Sequence, residues 1–465
     1  MIKTKGRFVA ASLFLLCEPA LATLPDQKTL PIGLSPTEHP IPSRGEVGAG
    51  TAPIGPVHAL AEWEDSDGVM TLWDNPSWVR ALARSGPVKL LGDDSSAIQW
   101  WRDRLSLNNI PATNVSYFTV PTDSIWIRDY GPWFIVGGTG AFGIVDQTYN
   151  RPRPNDDRVP DFIGKTMGVP VFKPGLVHTG GNFYSDGVDH GFSSTLVYSE
   201  NSSLPADEVR SRMKSFLGIE QYTTSPLAPK ITIEHMDTFG KLVAPDTWVF
   251  SEFAHGSRFR KDSETMVALL KTLSSPYGTP YKIFRMPMSS ISGSGEDFKA
   301  YINSFISNQT LYFPIYNTAT DASARAVYEA ALPGYTIVGV DAMETEWGDS
   351  VHCRSRNLMA KETIFIFPKI TSAVPDSKSG IAIEADIFPS PGATLTSAVV
   401  NWRTGKTRGL SITMTPISEH TYRAVIPPQL SGEHLSFYVT ARDSLGKMKT
   451  APSAAPAMAI DLDIK

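Results

Sequence analysis

The stretch DASARAVYEAALPGYTIVGVDAMETEWGDSVHCRSR, residues 321–356, contains the unit that decides the fold: a helix, a turn, a strand and a loop. Asp321 can cap a helix that runs to Ala331, and Pro333-Gly334 is a typical stop signal. The β-rich run at residues 335–340 then predicts a strand. The polar loop that follows ends in His352-Cys353. Because α/β folds commonly place chemistry where a strand ends in a loop, we expect a functional site here.

Similar helix and strand signals alternate from about His58 to Pro368. A second helix is predicted from Asp262, where apolar residues recur at i, i+3, i+4 and i+7 from Met266 to Leu273 and stop before Pro276. This alternation predicts an α/β domain over residues 57–368.

After Pro368 the pattern changes to short alternating segments separated by Gly, Pro and Ser. The clearest of these segments are residues 381–387, 397–402, 421–426 and 435–441. They predict an all-β immunoglobulin-like sandwich over residues 369–465, without an inter-sheet disulfide. We expect this domain to support or dock rather than to catalyse.

The N-terminus has three basic residues, an apolar run from Phe8 to Leu16 and the small-residue run Ala20-Leu21-Ala22. This arrangement predicts a signal peptide over residues 1–22, and therefore a secreted protein, extracellular or periplasmic. The Pro/Gly-rich residues 23–56 lack periodicity and predict an extended or removable leader.

The composition and the distribution of apolar residues argue against nucleic-acid binding and against a membrane span. The formal net charge is -5 over 465 residues, so the chain lacks the basic character that a nucleic-acid binder needs. After residue 22 no apolar run is long enough to predict a membrane span.

The chain has two cysteines, Cys17 and Cys353, and Cys17 lies inside the predicted signal peptide. A mature exported chain would therefore carry Cys353 alone, with no intramolecular partner. A lone thiol beside a histidine indicates a reactive group, although a small buried hydrophobe is the alternative interpretation.

Chemically useful side chains are concentrated in four segments of the α/β region. These are Ile125-Trp126-Ile127-Arg128-Asp129-Tyr130-Gly131-Pro132-Trp133, Ile233-Glu234-His235-Met236-Asp237, Ala300-Tyr301-Ile302-Asn303 and the Cys353 loop. Together and in this order they resemble the Porphyromonas-type peptidylarginine deiminase and agmatine deiminase family.

The resemblance implies a pentein-type five-bladed α/β-propeller with no metal and no organic cofactor. It further implies these roles: Cys353 as nucleophile, His235 as general acid/base, Asp129 and Asp237 as guanidinium clamps, and Asn303 as a residue that shapes the site. Gly180-Gly181-Asn182 resembles a structural strand entry of the family. The implied reaction is attack of Cys353 on a guanidinium carbon, loss of ammonia, and hydrolysis of a thiouronium intermediate to a ureido group.

The residue types fit this chemistry on physical grounds. A guanidinium is planar, permanently charged and rich in donors, so a pocket that holds it needs carboxylate acceptors. Its carbon is a poor electrophile, so the attacking group should be a thiolate. Histidine has a pKa suited to protonating ammonia and then activating water.

Each residue also has a structural interpretation. Asp129 could be a turn residue or a partner of Arg128, and His235 with Asp237 could form a surface pair. Asn303 could bond only to the backbone. We do not assign His352 as the general acid.

Substrate choice rests on Asn150-Arg151-Pro152-Arg153-Pro154-Asn155-Asp156-Asp157. This run resembles the segment that places two arginines over a substrate carboxylate in the peptidyl enzymes, and paired guanidinium forks suit such capture. We therefore predict that peptides or proteins with a C-terminal arginine bind Arg151 and Arg153, with Trp126 packing on the arginine methylenes. A solvated loop and a core tryptophan are the alternatives.

Three other functions remain to be weighed. Agmatine deiminase activity is the first, although Arg354-Ser355-Arg356 departs from the Thr-x-Gln pattern common in those enzymes. A papain-like protease would need its cysteine before its histidine, whereas His235 precedes Cys353. A secreted, non-catalytic binding protein is the third.

Overall fold

The computed structural model describes residues 30–39, 48–225, 233–289, 298–343, 345, 349–371, 380–405 and 409–464. The predicted signal peptide, with Cys17, and residues 23–29 and 40–47 of the predicted leader lie outside the described residues. Within the described ranges, no helix has the length and apolar character needed to cross a membrane.

The described part of residues 58–359 forms five small mixed sheets of three or four strands. Each sheet contains an antiparallel pair extended on one side by a parallel strand. In pairing order, the first sheet contains His58–Ala59, Trp133–Val136, Phe142–Val145 and Val171–Phe172, and the second contains Tyr184–Ser185, His190–Ser194 and Gln221–Ser225. The third contains Gly240–Ala244, Thr247–Glu252 and Lys282–Pro287, and the fourth contains Phe305–Ser307, Thr310–Ile315 and Thr336–Asp341. The fifth contains Arg356–Met359, Ser66–Thr71, Val88–Gly92 and Val115–Thr119.

An α-helix precedes the parallel strand in every sheet, because a crossover connection is needed to return the chain in the same direction. The helices are Val159–Met167, Ala206–Leu217, Arg260–Leu270, Thr320–Ala331, and both Pro76–Ser85 and Ser95–Leu107 in the last sheet. Local signals start and stop them: the Asn75 and Asp94 side chains accept N-cap hydrogen bonds, and Gly218 ends its helix with φ 71°.

Short helical turns occupy the connections. These are the α-helices Ile127–Tyr130 and Leu196–Glu200 and the 3₁₀ turns Asp156–Arg158, Gly180–Asn182 and Met236–Thr238. The segments around Asp129 and His235 are therefore turns between strands. Such turns can point polar side chains away from the sheet ladders.

The two ends of the α/β region meet in one sheet. Strand Arg356–Met359 pairs antiparallel with Ser66–Thr71, with Arg356 opposite Met70. Cys353 lies three residues before this strand, so the pairing fixes the cysteine loop against the rest of the region.

Two all-β sheets follow. The first contains Phe365–Ile370, Ile381–Phe388, Thr421–Ile426 and Thr415–Pro416, and the second contains Leu410–Thr413, Leu395–Thr404, His434–Asp443, Met448–Ala451 and Ile460–Asp463. Apolar residues from both sheets share one core cluster, which includes Ile383, Val400 and Phe437. The predicted boundary at residue 368 falls inside strand Phe365–Ile370, which pairs with Ile381–Phe388, so the all-β part begins by Phe365.

Both helices singled out in the sequence are present, but their acidic residues lie in the first turn rather than at the cap. Phe259 and Ala319 are the N-cap residues. Asp321 nevertheless accepts hydrogen bonds from the backbone of Tyr316 and Thr318, so its carboxylate holds the chain entering the helix. The strand that follows is Thr336–Asp341, one residue later than predicted.

Candidate active site

Three separate turns bring the predicted site residues together. Asp129 lies in helix Ile127–Tyr130, His235 and Asp237 flank the start of the 3₁₀ turn Met236–Thr238, and Cys353 lies before strand Arg356–Met359. Cys353, His235 and Asp237 are fully buried, and Asp129 is 2% exposed. Buried polar groups carry a desolvation cost, so this concentration is unusual in a protein core.

The thiol of Cys353 contacts the side chains of Asn303 and Asp237. The Asn303 Nδ2 donates a hydrogen bond to Cys353 Sγ at 3.2 Å, and Sγ lies 3.6 Å from Asp237 Oδ2. Burial raises the pKa of this thiol well above its usual value, and the nearby acidic groups, Asp237 first among them, raise it further. In the unliganded site the sulfur is therefore protonated.

The amide oxygen of Asn303, at the other side of the same amide group, holds the backbone of the cysteine loop. Its Oδ1 accepts hydrogen bonds from the backbone N–H groups of Ser350, His352 and Cys353 at 2.8, 3.1 and 3.3 Å. The same side chain thus fixes the loop backbone and contacts the sulfur. Asn303 does bond to the backbone, as its structural interpretation requires, but it also touches the nucleophile.

Asp129 and His235 lie side by side, with 3.5 Å between Asp129 Oδ1 and His235 Nδ1. His235 Nε2 is held by the Thr179 hydroxyl at 3.0 Å. Among the described residues, four buried atoms of this group have no hydrogen-bond partner: both carboxylate oxygens of Asp129, Oδ1 of Asp237 and Nδ1 of His235. Two of these side chains are carboxylates, which match the donors of a planar cation.

The two carboxylates differ in protonation. Burial, together with the negative charge of Asp237, raises the pKa of Asp129 to about 8. Burial would also raise the pKa of Asp237, but the hydrogen bond from His352, together with the charges of His352, His235 and Arg128, outweighs burial and holds that pKa below its usual value. Like charges in one site push the protonation of the pair apart, and a bound cation would favour ionisation of both.

His235 is neutral in the unliganded site, because burial lowers its pKa to about 4 and the positive charge of Arg151 acts in the same direction. A neutral imidazole can accept a proton, as the attacking thiol requires.

A buried ionic network that the sequence did not reveal supports the site from behind. The ring of His352 joins Asp237 Oδ2 at 2.7 Å to Glu62 Oε2 at 2.8 Å. Glu62 also pairs with Arg128, at 2.8 Å, and with Lys241. Burial would raise the pKa of Glu62, but the positive charges of Lys241, His352 and Arg128 hold it well below its usual value. The network positions Asp237 through His352, which agrees with leaving His352 out of the acid/base role.

Gly181 lies at the centre of the site. A β-carbon added there would come within 2.7 Å of both Asp129 Oδ1 and His235 Nδ1 and within 3.2 Å of Asp237 Oδ2. The Gly-Gly-Asn motif therefore leaves room between the three polar side chains, and only a glycine at this position does so.

We expect Gly181→Ala to reduce kcat/KM by at least about a hundredfold, because small displacements of reacting groups carry losses of that size. Gly86→Ala is the matched control, since a β-carbon at Gly86 has no heavy atom within 4 Å. Steady-state kinetics of both variants, with melting curves to verify folding, make the measurement. Full activity of Gly181→Ala would show that substrate does not use this space.

The residues predicted to bind the end of the substrate lie nearby. Arg151 is close enough for its charge to lower the pKa values of Asp129 and His235. The Nη1 of Arg153 lies 3.5 Å from the Tyr149 hydroxyl. Both arginines are buried, so the solvated-loop interpretation is wrong for their side chains.

Trp126 is 6% exposed and belongs to the same apolar cluster as Cys353. The guanidinium of Arg354 lies 5.1 Å from its ring centre and 4.4 Å from that of Trp73. Trp126 thus already packs against a cation of this chain, which limits the area it can offer to substrate methylenes.

Comparison with known proteins identifies relatives of the α/β region. The model of the Porphyromonas-type peptidyl-arginine deiminase family matches residues 58–358. An agmatine deiminase of Ectopseudomonas mendocina is 24% identical over 356 residues, covering 64% of this chain and 94% of the relative.

Solved structures of agmatine deiminases resemble the fold of this chain. The structure described as the agmatine deiminase of Enterococcus faecalis catalyzing its reaction is 19% identical and covers 67% of this chain and 96% of its own, with a TM-score of 0.55. A cysteine-to-serine variant of the C. jejuni agmatine deiminase with substrate bound is 21% identical and covers 65% and 96%, with a TM-score of 0.56. At these identities the likeness shows a shared mixed α/β fold.

Proposed function

Since this chain belongs to the Porphyromonas-type peptidyl-arginine deiminase family and is a hydrolase of amidine C–N bonds, we propose that Cys353 removes ammonia from a guanidinium group and leaves a ureido group. One observation carries the proposal: a buried thiol, a histidine and two carboxylates converge on one space, with four of their atoms lacking a hydrogen-bond partner in the described part of the chain.

The reaction begins when the cation enters between Asp129 and Asp237. Its charge favours both carboxylates in their ionised form and lowers the pKa of the Cys353 thiol. His235 takes the thiol proton, and the sulfur attacks the guanidinium carbon to form a C–S bond.

The tetrahedral adduct then breaks one C–N bond. His235 returns its proton to the departing nitrogen, which leaves as ammonia, and a thiouronium cation remains on Cys353. A water molecule, deprotonated by His235, attacks the same carbon. The C–S bond breaks, the thiol regains its proton, and the product carries a ureido oxygen.

We propose that the preferred substrate is an arginine with a free carboxylate, at the C-terminus of a peptide or protein. Arg151 supports this choice because its charge acts on Asp129 and His235, which puts a permanent cation next to the clamp. A substrate carboxylate is attracted to such a cation, whereas the distal ammonium of agmatine is repelled.

Agmatine is the second candidate, and the comparisons favour it. The Ectopseudomonas mendocina relative and both structural neighbours carry the name agmatine deiminase. Those likenesses lie at 19–24% identity, so a change of specificity between relatives is compatible with them.

We test the choice by measuring ureido product from three substrates at equal concentration: a peptide ending in arginine, the same peptide with arginine internal, and agmatine. Selective turnover of the first supports the proposal. Turnover of agmatine alone keeps the chemistry and assigns the chain to small guanidines.

Replacing both Arg151 and Arg153 with alanine should raise KM for the peptide ending in arginine by about a hundredfold or more, because charge-assisted hydrogen bonds to the carboxylate are lost. Turnover of agmatine should change far less. Arg158→Ala is the matched control, since Arg158 is exposed on the same segment. An equal loss of activity on the peptide and on agmatine would contradict a role of Arg151 and Arg153 in binding the substrate carboxylate.

We also infer that the five sheets are the blades of a pentein-type propeller. The fivefold repetition of an antiparallel pair, a helix and a parallel strand supports this, as does the pairing of residues 356–359 with residues 66–71. The two all-β sheets with one shared core support an immunoglobulin-like sandwich. Export remains a proposal from the N-terminal sequence; the N-terminal residue of the cell-derived protein would test it.

A further inference from the structure

Residues 30–39 cover the predicted substrate end of the site, and we call them the N-terminal strap. The indole Nε1 of Trp126 donates to the carbonyl of Leu30 at 2.9 Å, and Arg151 Nε donates to that of Ile32 at 3.3 Å. All three residues assigned to the substrate from sequence, Trp126, Arg151 and Arg153, therefore contact this one segment, which belongs to the predicted leader.

Arg153 is held most completely. Its Nε and Nη2 form a two-pronged pair with the Glu38 carboxylate at 2.8 and 3.0 Å, and Nη2 also donates to the carbonyls of Pro31 and Gly33. Its side chain is 1% exposed. Arginine recognises a substrate carboxylate through this same fork of donors, so Glu38 takes the geometry that a terminal carboxylate would need.

The strap also places apolar cover on the site. Ile32 packs against the cluster that contains Trp126, Tyr149 and Cys353. With the strap in place, Arg151 and Arg153 are buried, and the nucleophile and its acid/base partner have no exposed surface.

We propose that the N-terminal strap is an internal occupant of the substrate entrance: Glu38 fills the carboxylate position on Arg153, and the strap must leave before substrate reaches Cys353. The inference rests on the proposed carboxylate role of Arg151 and Arg153, and adds a self-inhibited resting state to it.

The strap is built to persist across pH. Hydrogen bonds from Arg153 lower the pKa of Glu38 to about 2, and the backbone N–H of Ser35 donates to the same carboxylate at 2.7 Å. Mild acid therefore leaves the ion pair intact, and opening requires either a competing carboxylate or removal of the segment from the chain.

The test uses Glu38→Gln in the full chain, with Glu220→Gln as a matched control, since Glu220 pairs only with the exposed Lys214 among the described residues. Two quantities are measured: the rate at which 2-chloroacetamidine alkylates Cys353, and KM for the peptide ending in arginine. Because Glu38→Gln loses a charge-assisted pair, it should raise the alkylation rate about tenfold and lower KM for the peptide about tenfold.

The two readouts separate this inference from the proposed substrate. If Glu38→Gln speeds alkylation but no variant turns over the peptide, the strap proposal is supported and the proposed peptide substrate is contradicted. Peptide turnover with unchanged alkylation and unchanged KM in Glu38→Gln overturns the strap. A raised KM also overturns it, because the segment would then be part of the binding site.

A second measurement does not depend on the Glu38 variant. In the Cys353→Ala chain, a saturating peptide ending in arginine should speed hydrogen exchange of the amides in residues 31–39, whereas the same peptide with an amidated C-terminus should not. Slower exchange of these amides in the presence of the bound peptide would contradict displacement.

Discussion

Cys353→Ala should abolish ureido product formation, with a loss of at least about 10⁴-fold, because removing a nucleophile from a covalent mechanism carries penalties of that order or larger. The fold should survive. The protonated thiol accepts a hydrogen bond from Asn303 and donates a long one to Asp237, so its loss should lower the free energy of unfolding by about 1–2 kcal/mol.

Ser355→Ala is the matched control for this variant. Ser355 is buried in the same loop, but its hydroxyl donates to the carbonyl of Val351 and not toward Asp237. It should keep most of the activity. Residual turnover in Cys353→Ala at a tenth of the wild-type rate would remove the thiolate mechanism.

Alkylation distinguishes an enzyme from a non-catalytic binding protein with the same fold. 2-Chloroacetamidine carries an amidinium that the carboxylates of Asp129 and Asp237 can hold, so it should label Cys353 faster than a neutral reagent does. Neutral iodoacetamide should react slowly at neutral pH, because burial keeps the thiol protonated. Equal rates for the two reagents would indicate that no cation site adjoins the sulfur.

Glu62→Gln should destabilise the protein by about 3–5 kcal/mol, because it leaves buried positive charge without its counter-charge. Glu62 is the common partner of Arg128, Lys241 and His352, and Lys241 is fully buried. Thermal or denaturant unfolding measures the effect. Glu264→Gln, which loses a partly exposed pair with Arg285, should cost less than about 1 kcal/mol.

The pH dependence of stability should change in the same variant. The folded pKa of Glu62 is held well below its usual value of 4.5, so its stabilising contribution is present above about pH 4.5 and is lost as the pH falls below it. Glu62→Gln should therefore lose less stability than wild type between pH 5 and about pH 3. A parallel decline of the two proteins would show that the carboxylate is not ionised in the fold.

Several features could be predicted because their signals are local. The periodicity of apolar residues indicates the change from α/β to all-β structure, and this periodicity depends on neighbouring residues alone. His235 and Asp237 lie two residues apart, and Cys353 directly follows a histidine, so short motifs sufficed to select His235, Asp237 and Cys353 as candidates. The family inferred from these motifs is confirmed.

Other features depend on chain pairings that no local pattern records. Five sheets repeat one topology, yet no repeat is visible in the sequence, because many apolar combinations can fill the same strand and helix positions. Helix caps were assigned to the wrong residues for a related reason: an acid in the first turn and an acid at the cap look alike in sequence.

Residue type together with the family resemblance was enough to select candidate groups, a thiol, a histidine and two carboxylates, since residue type limits what each side chain can do. The surroundings of these groups depend on the folded chain. Glu62 lies 290 residues from His352, and Glu38 lies 115 residues from Arg153. Contacts across such separations form only when the whole fold closes, so the ionic network and the strap appear in the structure alone.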